Sequence, residues 1–181
     1  MRFAAIPVCA FLLMPALTCF GAFAADTAPE PARPVDASGF FAGRWYEIGR
    51  TPETFNKGCV AGYTDYQRKD GGLFELDGCH DKTPGGKEET IGGALKILNP
   101  GTNTKFSVAY HAMMGLVSIN RENWVLDHGD DWAIMATPDL KTASLYTRDP
   151  HPAPALLERM TKQVKALGYG GELEFPAQAK P

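Results

Sequence analysis

The 181-residue sequence is poor in excess charge, in histidine and in long apolar runs beyond its first two dozen positions, and each shortage excludes a class of function. Lysine and arginine number 18 against 21 aspartates and glutamates, a net charge of −3. That balance supplies no general attraction to nucleic acid phosphates or to an anionic membrane. The four histidines, His80, His111, His128 and His151, are far apart. His128-Gly129-Asp130-Asp131 has metal-binding residue types without a metal-ligand spacing, and no His-Glu-x-x-His occurs. His111 is the single histidine that could reach a cavity mouth to hold haem, with no further motif behind it. There is no Gly-x-Ser-x-Gly nucleophile turn and no phosphate loop. Gly85-Gly86 and Gly92-Gly93 read as turn or kink glycines, and Glu88-Glu89 as solvated loop charge. No cofactor and no metal is expected.

The amino terminus carries the one extended apolar run. Met1-Arg2 is followed by an almost uncharged stretch to Phe23, and Ala22-Phe23-Ala24 has the small-x-small form of a signal peptidase site. Pro7 and Pro15 break the run and argue against a membrane anchor. Cys19 follows Ala16, Leu17 and Thr18, a poor lipidation motif. The expectation is therefore a periplasmic or secreted protein cleaved after Ala24, ahead of an outer-membrane lipoprotein held through Cys19. Residues 25–38, with Pro29, Pro31 and Pro34, read as a mobile arm; 39–176 form the folded domain and 177–181 a tail.

Two cysteines remain after cleavage, Cys59 and Cys79, and an even count in an exported chain favours a disulfide. Asp70-Gly71-Gly72 lies midway between them, so a hairpin folded there brings them nearly opposite each other. A bond closing a loop of this length contributes roughly 3 kcal/mol.

The sequence is 44% hydrophobic, with 19 glycines and 14 prolines, enough for a core and rich in turn formers. Short apolar runs at 45–49, 60–67, 73–78, 90–98, 105–110, 123–127, 132–136 and 143–148 are separated by turn residues, with no helix between them. Eight such strands predict an all-β, antiparallel up-and-down barrel, which leaves no exposed edge. Helical spacing occurs once: Leu156, Leu157, Met160, Val164 and Leu167 recur after Pro154, and Gly168 is a stop. Glu172-Leu173-Glu174-Phe175 then predicts a short ninth strand.

Gly43-Arg44-Trp45-Tyr46-Glu47-Ile48 resembles the Gly-x-Trp motif at the first strand of lipocalins. Leu145-Tyr146-Thr147-Arg148-Asp149-Pro150 is similar to the third lipocalin motif, whose arginine ends the eighth strand. Asn123-Trp124-Val125-Leu126-Asp127 falls at the place of the second motif but lacks its Thr-Asp-Tyr. The pattern is most similar to bacterial lipocalins of the apolipoprotein D-like group and covers residues 40–175. It implies that Trp45 plugs one barrel end with Arg148 lying across its indole, and that Gly43, Trp45 and Arg148 are structural rather than catalytic.

The resemblance further implies a cavity that holds one small hydrophobic ligand, such as a fatty acid or lysophospholipid. Strand alternation offers the lining: Phe74 and Leu76, Leu95 and Ile97, Phe106, Val108 and Tyr110, Trp124 and Leu126. Met113 and Met114 lie in an unexpectedly apolar connection and suit an adaptable mouth. A carrier without catalytic activity is the expectation; a lipid-modifying enzyme on the same barrel, or an envelope scaffold without ligand, are the alternatives. Partners beyond the small ligand stop at transient membrane contact, and oligomeric state is not legible.

Overall fold

A computed structural model describes residues 27–112 and 117–179. Eight strands run β1 (Gly43–Arg50), β2 (Cys59–Lys69), β3 (Gly72–Asp81), β4 (Glu88–Ile97), β5 (Lys105–Ala112), β6 (Val117–His128), β7 (Trp132–Ala136) and β8 (Ala143–Thr147). Each pairs antiparallel with the next and β8 returns to β1, so the sheet closes into a barrel. A short helix, α1 (Ala37–Phe40), precedes β1, and α2 (Pro154–Ala166) follows β8.

Turn chemistry sets the register of the longest hairpin. Lys69 pairs with Gly72, so Asp70 and Gly71 form a two-residue loop, and both have positive φ, 52° and 79°. This is the loop geometry whose twist matches that of the strands it joins. Once that register is set, directly opposed residues share a face: Gln67 with Phe74, Tyr66 with Glu75, Thr64 with Asp77. The expected disulfide forms between Cys59 and Cys79, whose Cα atoms are 5.6 Å apart.

Extra residues interrupt the ladders of β1 at Glu47/Gly49, of β2 at Val60/Tyr63 and of β6 at Val125/Asp127. Each insertion shifts the inward parity by one. In β1 this turns Glu47 and Arg50 toward one another, 3.0 Å apart, where strict alternation would separate them.

Two apolar clusters divide the hydrophobic residues. Inside, Phe40, Phe41, Trp45, Tyr66, Leu95, Phe106, Val108, Val125 and Met135 are packed together. Outside, α2 lays Met160 and Val164, both fully buried, against Ile48, Leu126, Ile134 and Leu145. Pro154 stands at the start of α2, and Gly168, at φ 103°, ends it as expected.

Three expectations are corrected here. The arm is held on the barrel instead of being free: Ala28 and Val35 are buried, their amides bond to the Pro138 and Thr102 carbonyls, and Arg33 meets Asp127 at 2.6 Å. The ninth strand reduces to one bridge between Arg50 and Glu174. β6 begins at Val117, six residues before the expected start, because the residues ahead of that start carry Arg121 on the inner face and show no apolar run.

Candidate functional site

One barrel end is sealed. Trp45 is 1% exposed and donates its indole N–H to the Phe40 carbonyl at 2.9 Å. Arg148 lies over that indole, its guanidinium carbon 3.8 Å from the ring centroid. Its N–H groups also donate to the carbonyls of Gly39, Ala42 and Arg44 at 2.7–2.8 Å. One guanidinium thereby satisfies the carbonyls of the chain entering β1 and caps the plug. Gly43, at φ 65°, makes the turn between them. The plug is larger than Trp45 alone: the end of α1 and the residue after it add Phe40 and Phe41, with ring centroids 5.0 Å from Trp45 and 5.3 Å from Phe106 respectively.

Above this floor the barrel encloses a cavity of about 780 Å³, open at the other end. That volume is in the range of sites that hold one small organic molecule. Its wall just above the aromatic floor is polar. Tyr110 Oη lies 2.5 Å from Glu75 Oε1 and 2.7 Å from Asp77 Oδ2, and Thr64 donates to the other Asp77 oxygen at 2.6 Å. The phenol has one proton to share between the two carboxyls, so the pair crowds a single donor. Burial, together with the charge of Asp77, pushes the Glu75 carboxyl up to about 8, and burial raises Asp77 as well. The phenol of Tyr110 is raised far above its usual range by the same burial and by both acids.

A second polar group ties the mouth together. Arg50 is 4% exposed and reaches Glu47 at 3.0 Å, Glu174 at 2.7 Å, and the Asn56 and Cys59 carbonyls at 3.1 and 2.7 Å. It joins β1, the Cys59 entry to β2, the turn at Thr54–Asn56 and the C-terminal segment. Arg121 is held more loosely, 3.3 Å from Thr142 and 3.5 Å from Glu53. Phe55, Ile91 and Ile119, all exposed, form an apolar rim around the opening.

The expected lining separates into four groups. Phe106 and Tyr110 border the cavity. Leu95, Ile97 and Val108 face inward too, but belong to the packed floor cluster beneath it. Phe74, Leu76, Trp124 and Leu126 are corrections, since they stand on the outer face. Glu75 must follow Tyr66 inward, which sends Phe74 and Leu76 out; Phe74 packs beneath the Lys69 ammonium at 4.8 Å. Asn123 likewise follows Phe106 inward, and Trp124 and Leu126 turn to the α2 cluster. Met113 and Met114 lie outside the described residues.

Glu75, Asp77, Glu47, Arg50 and Arg121 were missed. The signal for Glu75 and Asp77 was present in the alternation Phe74-Glu75-Leu76-Asp77, where either parity could face in, and the turn-derived register decides between them. Arg50 and Glu47 meet through a bulge that no local pattern announces. Among the described residues no three His, Cys, Asp or Glu side chains are grouped as a metal site requires.

Known proteins match this architecture. A lipocalin-like domain model matches residues 35–178. The outer membrane lipoprotein Blc of Vibrio cholerae is 24% identical over 148 residues, covering 78% of this chain and 82% of the relative. Insecticyanin of the tobacco hornworm Manduca sexta superimposes with a TM-score of 0.66 at 19% identity, over 89% of each chain. The cockroach allergen Per a 4 gives 0.61 at 15% identity, over 86% of this chain and 97% of that one. With a family model spanning most of the chain, a closed eight-stranded barrel and the Trp45–Arg148 plug, the protein belongs to the lipocalin-like family.

Proposed function

We propose that this chain is an exported carrier that holds one small, largely hydrophobic molecule, a lipid or lipid-like amphiphile, in the barrel cavity and serves the cell envelope. The observation that carries the reading is the 780 Å³ space above a sealed aromatic floor, with an open, apolar-rimmed mouth. Such a shape removes a ligand from water without requiring chemistry on it. The leader-like terminus and the likeness to an outer membrane lipoprotein support an envelope location, periplasmic or secreted.

Native mass spectrometry on protein purified from its own host tests the reading. The expected result is a one-to-one adduct lost on mild activation and recovered as an amphiphile in the organic extract. A chain that carries no adduct and fails to bind a neutral fluorescent naphthylamine overturns it.

A further inference from the structure

Charge inside the barrel is unevenly answered. Arg50 is neutralised by Glu47 and Glu174, and Arg121 faces Glu53. Glu75 and Asp77 take part in no ion pair among the described residues. Their partners are hydroxyls, Tyr110 and Thr64, and Glu75 is 96% buried at the cavity wall because its exposure is 4%. The Arg121 guanidinium favours the ionised form of both acids but pairs with neither, and an acid pair with Glu75 buried, Asp77 half-buried and no ion-pair partner is unfavourable unless something neutralises it. A proton held by the pair would do so, in keeping with the raising of both carboxyls.

The cavity carries its acid pair just above the aromatic floor, and toward the mouth Phe55, Ile91 and Ile119 offer apolar surface beside Glu53, Lys57 and Arg121. A bare alkyl tail pushed to the base would strip solvent from both carboxyls and offer them no partner. A carboxylate or phosphate head would face two acids. A protonated amine fits: it carries the missing charge and up to three donors, and it can displace the shared proton to bridge both carboxyls. Its hydrocarbon would then run upward past Tyr146 and Met135 to the rim at Phe55, Ile91 and Ile119.

The geometry points to an amine-bearing amphiphile as the ligand class, entering amine first, with the ammonium seated between Glu75 and Asp77. This rests on the carrier reading and specifies which end of the ligand the cavity recognises. Arg121 is the opposing feature, since an anionic head could seek it nearer the mouth.

Three probes of one chain length separate these outcomes: dodecylamine, dodecanol and dodecanoate, each competing with the neutral naphthylamine for the full exported chain at neutral pH, below their micelle concentrations. The amine is expected to displace the dye at a concentration about tenfold or more below that of the alcohol, with the carboxylate weakest, as charge-assisted bonds imply. Glu75→Gln combined with Asp77→Asn should shrink the amine-to-alcohol ratio to within about threefold. Should the double variant fail to fold, the order of the three probes on the unaltered protein still decides. Equal displacement by all three, or preference for dodecanoate, overturns the amine assignment and leaves the carrier reading intact. If neither the dye nor any probe binds, both fall.

Discussion

At the residue scale, Arg148 shows how one side chain can hold a barrel end. It stacks on Trp45 and donates to three carbonyls of the α1–β1 connection at normal hydrogen-bond lengths. Removing it leaves those carbonyls to partly buried surroundings and uncovers the indole. Arg148→Ala is therefore expected to destabilise the fold by roughly 2–3 kcal/mol, from charge-assisted bonds plus the cation–π contact. Arg148→Lys should recover only part of this, because an ammonium cannot reproduce the planar fork. Urea unfolding of the two variants measures both; a loss below that of an ordinary surface substitution in the alanine variant would show the cap to be ornamental. Trp45 and Arg148 were legible because both are bulky residues in recognisable local motifs. Glu75 was not, since a buried glutamate looks like any exposed one until its strand's register is known.

At the element scale, the β2–β3 hairpin carries the main lesson about legibility. Its turn, Asp70-Gly71, and its bond, Cys59–Cys79, were readable because each depends on local chemistry: positive φ at the loop, and a pair of cysteines beyond the leader-like terminus. Its facing was not readable, because an apolar set and an acidic set alternate with the same period. Hydrophobicity favoured Phe74 and Leu76 inside, yet pairing to Tyr66 and Thr64 placed Glu75 and Asp77 there. The same rule moved Trp124 and Leu126 to the helix side. The disulfide closes a separation of 20 residues at the cavity wall. Cys59→Ala combined with Cys79→Ala should lower stability by roughly 3 kcal/mol, chiefly by freeing the unfolded chain. α2 was legible from its period, and Met160, wholly buried against the barrel, is its main anchor. Met160→Ala is expected to cost about 2–5 kcal/mol in urea unfolding while leaving the dye affinity of the cavity unchanged, since this side chain lies outside the barrel.

At the scale of the whole molecule, the buried acids should set how stability varies with pH. Glu75 has its carboxyl raised to about 8 by burial and by Asp77, while in the unfolded chain it ionises near its ordinary value of 4.5. Between those values the folded protein holds a proton that the unfolded chain has released. The contribution is thus complete below about pH 4.5 and is lost as pH rises through about 8. Asp77 and Glu47 are raised by burial and act in the same direction. Asp139, lowered to about 2 by Thr137 and Lys141, acts in the opposite sense, but only in strong acid, outside this window. Stability should therefore fall between pH 5 and 8 with a slope of up to about 1.4 kcal/mol per pH unit for each proton involved. Urea midpoints across that range provide the measurement, with Glu75→Gln as the comparison. The variant is expected to lose up to one proton's worth of slope and to gain stability near pH 8, where ionisation of the native glutamate leaves a buried charge with no ion-pair partner among the described residues. An identical slope in both proteins would mean that Glu75 is already ionised in the folded state, and that the short contacts of Tyr110 are balanced by a proton on Asp77 instead. An amine bound between the two carboxyls should remove the same slope without any substitution, because it takes the place of the proton that the folded site otherwise holds up to about pH 8.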